Sequence, residues 1–466
     1  MSGFRIEHDL LGDKEVPKDA YYGIQTLRAV ENFNITGHKP HPELFLAVAM
    51  VKKAAAMANM ELDLLDERKG KAIIYAADEI LAGKLADQFV VDAIQGGAGT
   101  SINMNVNEVI ANRAIEILGG EKGDYTIISP NTDVNMSQST NDVFPTAIRI
   151  ATIKLTKNLL DEIKLLQNAL LKKAKELDDV VKIGRTHLQD AVPIRMGQEF
   201  EAYSRAIGRD VNRIKTSLKA LHEINLGATA VGTGLNAKVE YIELAVKYLK
   251  DISGLPLKKT ESLVDATQNT DALADFSSTL KILALNLSKI ANDLRLMASG
   301  PRAGIAEIKL PPMQPGSSIM PGKVNPVIPE VVNQVAFQVM GNDHTISLAA
   351  GAGQLELNVM EPVIVYNLLQ SVEILTNAIR TFREKCIVGI TANKEHCREM
   401  VEKSIGIITA LLPHIGYEKA SQIAKELSES DETVQEILLR KKILPEDIIE
   451  EILSPKAMTE PGILCE

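Results

Sequence analysis

A regular spacing of apolar residues in the middle of the chain constrains its fold more than any other feature. From Leu273 to Met297, apolar residues recur at alternating steps of three and four. The positions between these two are Phe276, Leu280, Leu283, Leu287, Ile290 and Leu294. This spacing is typical of a long helix that packs along a seam against other long helices. Gly300-Pro301 follows as a stop signal. The pattern predicts one long helix of a bundle.

Three other stretches carry similar periodicity, at about 141–177, at about 196–226, and after Glu361. Strand signals are scarce and short. Only 4% of the residues are aromatic, and long aliphatic helices of this kind usually form a bundle. We therefore expect an all-α, mainly helical fold with a central bundle of long helices. Apolar residues on more than one face of these helices indicate oligomerisation.

The two ends of the chain differ from its centre. Residues 1–140 mix short helices with polar turns, whereas 141–392 carry the long helical periodicity. From 393 to 466, shorter amphipathic helices are broken at Pro413, at 428–430 and at Pro445. The sequence therefore predicts three domains: 1–140, 141–392 and 393–466.

Charge and composition exclude several classes of protein. The net charge of −10 and the absence of Trp argue against nucleic acid as a partner. Cys386, Cys397 and Cys465 form no Cys-x-x-Cys pair, which fits a reducing compartment without a disulfide framework or zinc site. The N-terminus lacks a signal-peptide core. The longest apolar run near it, 44–51, is far shorter than the ~20 residues of a membrane helix. We expect a cytoplasmic protein without membrane contact.

Four loops place small polar residues where helical periodicity is expected to resume: 96–105, 135–142, 184–190 and 316–326. Helix N-termini have unpaired N–H groups and a positive dipole end, so they suit carboxylates. The alternative for each loop alone is ordinary N-capping. The sequence does not show whether the four loops meet in space.

The loop at 316–326 is the most informative of the four. Gly316 and Gly322 permit unusual backbone angles, and two prolines restrict the rest. One interpretation is a mobile lid that brings a serine and Lys323 to an anionic ligand. The other is a flexible surface loop with a solvated lysine.

His187 is one of eight histidines, and a lone histidine is often structural. Its neighbours Arg185, Thr186 and Gln189 favour a functional role. No pair of histidines has the spacing of metal ligands, so we expect no catalytic zinc.

The segment GSSIMPGKVNP at 316–326 resembles the GSSxMPxKxNP fingerprint of the aspartase/fumarase superfamily. The resemblance covers nearly the whole chain. It extends from 5–12 and 17–23 through the four loops, 225–236 and 299–304, to 356–362 and 403–408. It implies a homotetramer with a shared helical core and active sites built from loops of three subunits. It implies a small dicarboxylate substrate and no cofactor. Some relatives are activated allosterically by a divalent cation, and the sequence leaves this open here.

Several details resemble the ammonia-lyase branch more than the class II fumarases. Thr140 stands where fumarases usually carry a second serine, Ala228 where they tend to have glycine, and Glu361 where they usually have lysine. Residues 21–23, Tyr-Tyr-Gly, stand where fumarases tend to have a tryptophan. The resemblance thus implies reversible elimination of ammonia from L-aspartate to give fumarate, through an aci-carboxylate. The alternatives are a class II fumarate hydratase and a catalytically silent scaffold with the lyase fold.

The resemblance also implies roles for individual residues. The groups that hold the substrate would be Thr100, Ser139, Thr140 and Ser318 at the β-carboxylate, Thr186, Lys323 and Asn325 at the α-carboxylate, and Asn141 and His187 at the ammonium group. Ser317 would be the base that removes the β-proton, and His187 is the rival for that role.

Overall fold

A computed structural model describes residues 3–430 and 432–463. As predicted, the described residues are mainly helical, and their strands form four two-stranded sheets. The first elements are β1 (Phe4–Asp9), β2 (Gly12–Pro17), α1 (Ile24–Asn32), α2 (Pro42–Glu61), α3 (Glu67–Leu81) and α4 (Thr100–Ile117). The helices of this region are not all short, because α2 has 20 residues and α4 has 18.

The central part of the chain follows a single turn of π-helix at Pro130–Val134. Its elements are α5 (Thr140–Glu176), β3 (Val181–Thr186), β4 (Gln189–Arg195), α6 (Met196–Ser217), β5 (Glu223–Ile224), α7 (Val239–Ser253), β6 (Lys258–Lys259), α8 (Leu263–Gln268), α9 (Asp271–Met297), β7 (Ile308–Lys309), α10 (Val327–Gly351) and α11 (Glu361–Lys385). The last elements are β8 (Thr391–Ala392), α12 (Lys394–Glu402), α13 (Leu412–Ser428), α14 (Val434–Arg440), α15 (Glu446–Ile452) and α16 (Pro455–Thr459). β5 and β6 pair in parallel, and the other three pairs are antiparallel.

The predicted seam of α9 is confirmed, since each of its apolar positions from Leu273 to Met297 is buried. α5 and α11 also lie where periodicity indicated them. α6 ends earlier than expected, at Ser217, and a 3-10 turn at Leu218–His222 follows it.

The fifth long helix, α10, begins at Val327, where helical periodicity was expected to resume after the 316–326 loop, but its length of 25 residues was not predicted. Polar residues occupy several of its buried positions: Asn333 donates to Ser288, and Asp343 accepts from Ser277 at 2.8 Å. These inward polar side chains interrupt the apolar periodicity that identifies a helix. Buried polar side chains require such partners, which here come from α9.

One predicted loop has a different structure. The segment 184–190 was expected to lie just before a helix, but it forms the end of the β3–β4 hairpin, whereas α6 begins at Met196, where periodicity predicted it. Val181, Ile183, Val192 and Ile194 lie on the two strands and supply the β-branched residues that strands favour. The sequence reading overlooked this short signal.

The chain divides into two compact units. One comprises Met1–Leu160, Asn212–Ala284 and Phe337–Leu375, and the other comprises Asp161–Val211, Leu285–Ala336 and Thr376–Glu466. The boundaries between these units fall within the five long helices. The three-domain division at 140 and 392 stays a prediction. Within the second unit, the C-terminal helices form an apolar core with Ile183 of β3.

Among the residues that the structure describes, no helix is both long and apolar enough to cross a membrane. A cytoplasmic location stays a prediction. Cys386 and Cys397 are buried free thiols, and Cys465 lies outside the described residues.

Candidate active site

The first predicted loop, 96–105, is shorter than expected, because α4 already begins at Thr100. Thr100 is exposed, and its hydroxyl donates to the carbonyl oxygen of Gly97 at 2.7 Å. Gly99 has a φ of 89°, and a Cβ there would lie 2.4 Å from the ring of Phe144. Only glycine fits this turn, which places Thr100 at the exposed N-terminus of α4, where the positive end of the helix dipole lies.

The second loop leads into α5, the 37-residue helix that begins at Thr140. The Ser139 hydroxyl accepts the N–H of Asn141 at 3.2 Å. The Asn141 amide donates to the carbonyl oxygen of Ala230 at 2.7 Å. Thr140 is buried, and Ser139 and Asn141 are half-buried. Three polar side chains therefore surround one positive helix end, which suits a carboxylate.

Asp142 fixes this helix start from within. Its carboxylate is fully buried and accepts the backbone N–H groups of Ser139 at 2.9 Å, Gly227 at 3.0 Å and Thr229 at 3.1 Å. Burial raises the pKa of Asp142 to about 6, and the three N–H donors oppose that shift. Asp142 thus ties the Ser139–Asn141 segment to the 227–229 turn.

Thr186 and His187 lie at the tip of the β3–β4 hairpin. His187 and Leu188 form its two-residue turn, with φ values of 55° and 62°. Such paired positive angles are usual in hairpin turns but are normally supplied by Asn and Gly, so two ordinary side chains here are strained. Thr186 and His187 are exposed. The turn therefore projects the imidazole into open space.

A buried ion cluster anchors this hairpin. Glu307 is fully buried, and its carboxylate accepts from Arg185 at 2.6 Å and pairs with Lys182 at 3.1 Å. Both cations belong to β3, and Arg185 directly precedes Thr186. Paired and hydrogen-bonded, these charges hold the strand in one register.

The fourth loop is pinned at its base and turns sharply at its serines. Gly316 donates its N–H to the carbonyl oxygen of Lys323 at 2.7 Å, and the Asn325 amide donates to the carbonyl oxygen of Gly316 at 2.8 Å. The Ser317 oxygen accepts the N–H groups of Ile319 at 3.2 Å and Met320 at 3.0 Å. Ser318 and Lys323 are exposed. Among the hydroxyls of the predicted site residues, that of Ser317 is the one whose oxygen accepts two N–H groups.

The predicted site residues fall into two groups. Thr100, Ser139, Thr140 and Asn141 lie in the first compact unit, and Thr186, His187, Ser317, Ser318, Lys323 and Asn325 lie in the second. The structure brings members of each loop together. Convergence of all four loops stays a prediction.

Sequence reasoning missed two buried ionisable residues, Asp142 and Lys52. Asp142 contacts Ser139, and Lys52 contacts the loop just before it. The run Ser139-Thr-Asn-Asp142 matches a capping box, which would have indicated the Asp142 contact with the Ser139 N–H. Lys52 stands in the otherwise apolar stretch of α2 and is fully buried. A charge inside an apolar run is the signal that would have indicated it.

Among residues 3–430 and 432–463, no group of three or more His, Cys, Asp or Glu side chains could hold a metal ion.

Comparison with known proteins defines the class. The family model described as "Lyase" matches residues 12–341, and the model described as "Fumarase C C-terminus" matches 407–460. The chain belongs to the lyase family of the aspartase/fumarase superfamily. It is 62% identical to the aspartate ammonia-lyase of Bacillus subtilis, over 99% of this chain and 97% of that one.

Two solved structures are similar over their full length. A fumarate lyase:delta crystallin from Brucella melitensis bound to cobalt has a TM-score of 0.96 and 52% identity, covering 98% of this chain and 100% of that one. A class II fumarase from Schistosoma mansoni has a TM-score of 0.93 and 37% identity, covering 97% of this chain and 99% of that one. The sequence expectation of the superfamily and its fold is confirmed.

Proposed function

We propose that this chain catalyses the reversible elimination of ammonia from L-aspartate to give fumarate. The observation that carries the proposal is its 62% identity to the Bacillus subtilis aspartate ammonia-lyase across almost the entire chain. The oriented hydroxyls and N–H groups at the starts of α4 and α5 are the kind of donors that this reaction needs. Enzymes of the superfamily need no organic cofactor, and the mechanism below uses none.

The difficult step is loss of a proton from the carbon next to the β-carboxylate. The electron pair of the broken C–H bond moves into that carboxylate and makes it a doubly charged aci-carboxylate. Oriented donors stabilise such charge, and loss of one typically costs ~10²–10³ in rate. In our proposal these donors are Thr100, Ser139, Thr140 and Ser318. The electron pair then returns, the C–N bond breaks, and ammonia leaves.

We assign the base to Ser317. A serine hydroxyl is normally a weak base because its alkoxide is unstable at neutral pH. The N–H groups of Ile319 and Met320 already point at the Ser317 oxygen, so they would stabilise negative charge on it. Closure of the 316–326 loop would exclude water and strengthen these interactions. His187 is the rival base and otherwise faces the ammonium group together with Asn141.

A replacement of Lys323 tests the proposed α-carboxylate site. In that site Lys323, Thr186 and Asn325 would together bind the α-carboxylate of the substrate. Lys323→Ala is expected to raise the KM for aspartate about 10- to 100-fold, because a hydrogen bond to a charged group contributes about 1.5–3 kcal/mol. Steady-state kinetics measure the effect. Lys309→Ala, an exposed lysine on β7, is the control. Unchanged KM and kcat in the Lys323 variant would refute its role.

We further propose that the chain works as a homotetramer whose active sites combine loops of three subunits. α10 supports this proposal, since Phe337 is 62% and Leu348 64% exposed in the isolated chain. None of the exposed residues of α10 carries a charged Lys, Arg, Asp or Glu side chain; they are Val331, Gln334, Phe337, Gln338, Gly341, His344, Ser347, Leu348 and Gly351. A helix face without charged residues and with large exposed apolar side chains is typical of a surface buried in an oligomer.

Subunit sharing has a direct test. Thr100→Ala and Ser317→Ala chains, each with its own affinity tag, are coexpressed, and hybrids that carry both tags are purified. Shared sites predict recovered activity, because some sites in a hybrid contain neither replacement. Sites confined to single chains would leave the hybrids no more active than the parents.

The assay that tests the function follows fumarate by its ultraviolet absorbance, with aspartate or malate as substrate. We expect rapid formation of fumarate from aspartate only. The similarity to the Schistosoma mansoni class II fumarase makes malate the relevant competitor. Fumarate from malate alone would instead assign a hydratase, and no reaction with either would favour a silent scaffold.

A further inference from the structure

Lys52 of α2 is fully buried, and its ammonium group contacts the loop that leads to Ser139. Its Nζ donates to the amide oxygen of Asn135 at 2.8 Å and to that of Gln138 at 2.9 Å. No carboxylate in residues 3–430 or 432–463 lies within ion-pair distance of it. Burial lowers its pKa to about 7, and the negative charge of Asp142 opposes that shift. A charge is rarely buried with only neutral partners unless something requires it there.

The amide oxygen of Asn135 joins three segments. Besides Lys52, it accepts from the side-chain amides of Asn103 at 3.2 Å and Asn107 at 3.1 Å. Asn103 and Asn107 lie on α4, one and two turns after Thr100. A single oxygen atom therefore links α2 and the helix that begins at Thr100 to the loop that ends at Ser139.

Gln138 makes the same loop rigid. Its amide nitrogen donates to the carbonyl oxygens of Val134 at 3.1 Å and Met136 at 2.9 Å, while its oxygen accepts from Lys52. Ser137, with a φ of 61°, donates its hydroxyl to Asn59 of α2 at 2.9 Å. Once its ends are held, this loop has little freedom to place Ser139 elsewhere.

We propose that Lys52 is a positioning residue, which holds the helix start at Thr100 and the Ser139–Asn141 segment at the separation that one carboxylate requires. The proposal rests on the proposed function, in which Thr100, Ser139 and Thr140 share the β-carboxylate. Lys52 does not touch the substrate. It acts through Asn135 and Gln138, and an ammonium group is suited to this role because it can donate to both amide oxygens at once.

The experiment compares Lys52→Met with Lys53→Met in the full-length protein. Lys53 is the next residue of α2, and within residues 3–430 and 432–463 its ammonium group pairs with Asp78 alone, at 2.6 Å. Lys52→Met is expected to lower kcat/KM for aspartate about 10²-fold, the typical effect of a misplacement of about 1 Å in a binding group. Inhibition by succinate, a dicarboxylate without the amine, should weaken about tenfold or more. Lys53→Met should change neither.

Thermal stability separates positioning from a purely structural role. Lys52→Met leaves the amide oxygen of Gln138 without its donor, which costs about 1–3 kcal/mol, but it also removes the cost of burying a charge. The variant is therefore expected to stay folded, and kinetics measured well below its melting temperature report on positioning. Wild-type kinetics and succinate inhibition in a folded Lys52→Met protein would overturn the proposal. If wild-type protein forms no fumarate from aspartate, the proposed function fails instead, and succinate binding by calorimetry still decides the role of Lys52.

A second variant decides the matter if Lys52→Met does not fold. Asn103→Ala removes one of the three donors to the Asn135 oxygen and leaves the buried charge in place. A severalfold rise in the succinate inhibition constant, with the fold intact, supports the proposal. An unchanged constant overturns it.

Discussion

Ser317→Ala is expected to give a folded enzyme whose kcat falls about 10²–10⁴-fold, the usual contribution of a positioned general base. The hydroxyl is the only group lost, and the N–H groups of Ile319 and Met320 that point at its oxygen remain in place. The KM for aspartate should change little, because Ser317 acts on the β-proton and not on the carboxylates. Stopped or continuous ultraviolet assays at saturating aspartate measure the loss.

Ser421→Ala is the control for this replacement, since Ser421 is an exposed serine of α13 whose hydroxyl donates only to the carbonyl oxygen of Tyr417. Near-normal turnover in Ser317→Ala would remove Ser317 from the base role. His187→Asn would then be decisive, because the imidazole is the other group proposed near the substrate.

Asp142→Ala is expected to lower the free energy of unfolding by roughly 3–5 kcal/mol. The replacement leaves the buried N–H groups of Gly227 and Thr229 and the half-buried N–H of Ser139 without an acceptor, and each unpaired buried donor costs about 1–3 kcal/mol. The N-terminus of α5 loses its tie to the 227–229 turn at the same time. Denaturant unfolding at a fixed protein concentration measures the change, since association contributes to apparent stability.

Asp161→Ala is the matched control on the same helix. Asp161 is 60% exposed and pairs only with Lys164, three residues on, at 3.1 Å. Exposed pairs of this kind contribute about 0–1 kcal/mol. A loss in Asp142→Ala no larger than in Asp161→Ala would mean that water replaces the carboxylate at little cost, and that Asp142 does not anchor the helix start.

The parts of the fold that periodicity could predict are those in which burial alone decides the residue type. The seam of α9 is the clearest case, since every position of its three-and-four repeat from Leu273 to Met297 is apolar and buried. The start of α10 was expected after the 316–326 loop, but its extent was not, because Asn333, Asn342 and Asp343 occupy buried positions of that helix. Their partners come from other helices, and a local pattern carries no information about partners that are distant in sequence.

The candidate site shows the same limit. The 316–326 motif was sufficient to indicate the superfamily, and periodicity predicted the start of α5 to within a residue, whereas α4 begins at Thr100, inside the predicted 96–105 loop. The hairpin that carries His187 was missed because a strand of six residues gives a weak signal. Lys52 was missed for another reason. Its role depends on Asn103, Asn107 and Asn135, which approach one another only in the folded chain.

The strained backbone at His187 and Leu188 bears on any attempt to raise the stability of this protein. Two side chains in left-handed conformation cost of order 1–3 kcal/mol each, and glycine at either position would recover part of that sum. Glycine at position 187 would remove the imidazole ring, whereas Leu188 is 69% exposed and has no proposed role in binding or catalysis. A redesign guided by stability alone would favour both changes equally. With His187 at the ammonium group, as proposed, only the change at Leu188 would keep the active site intact.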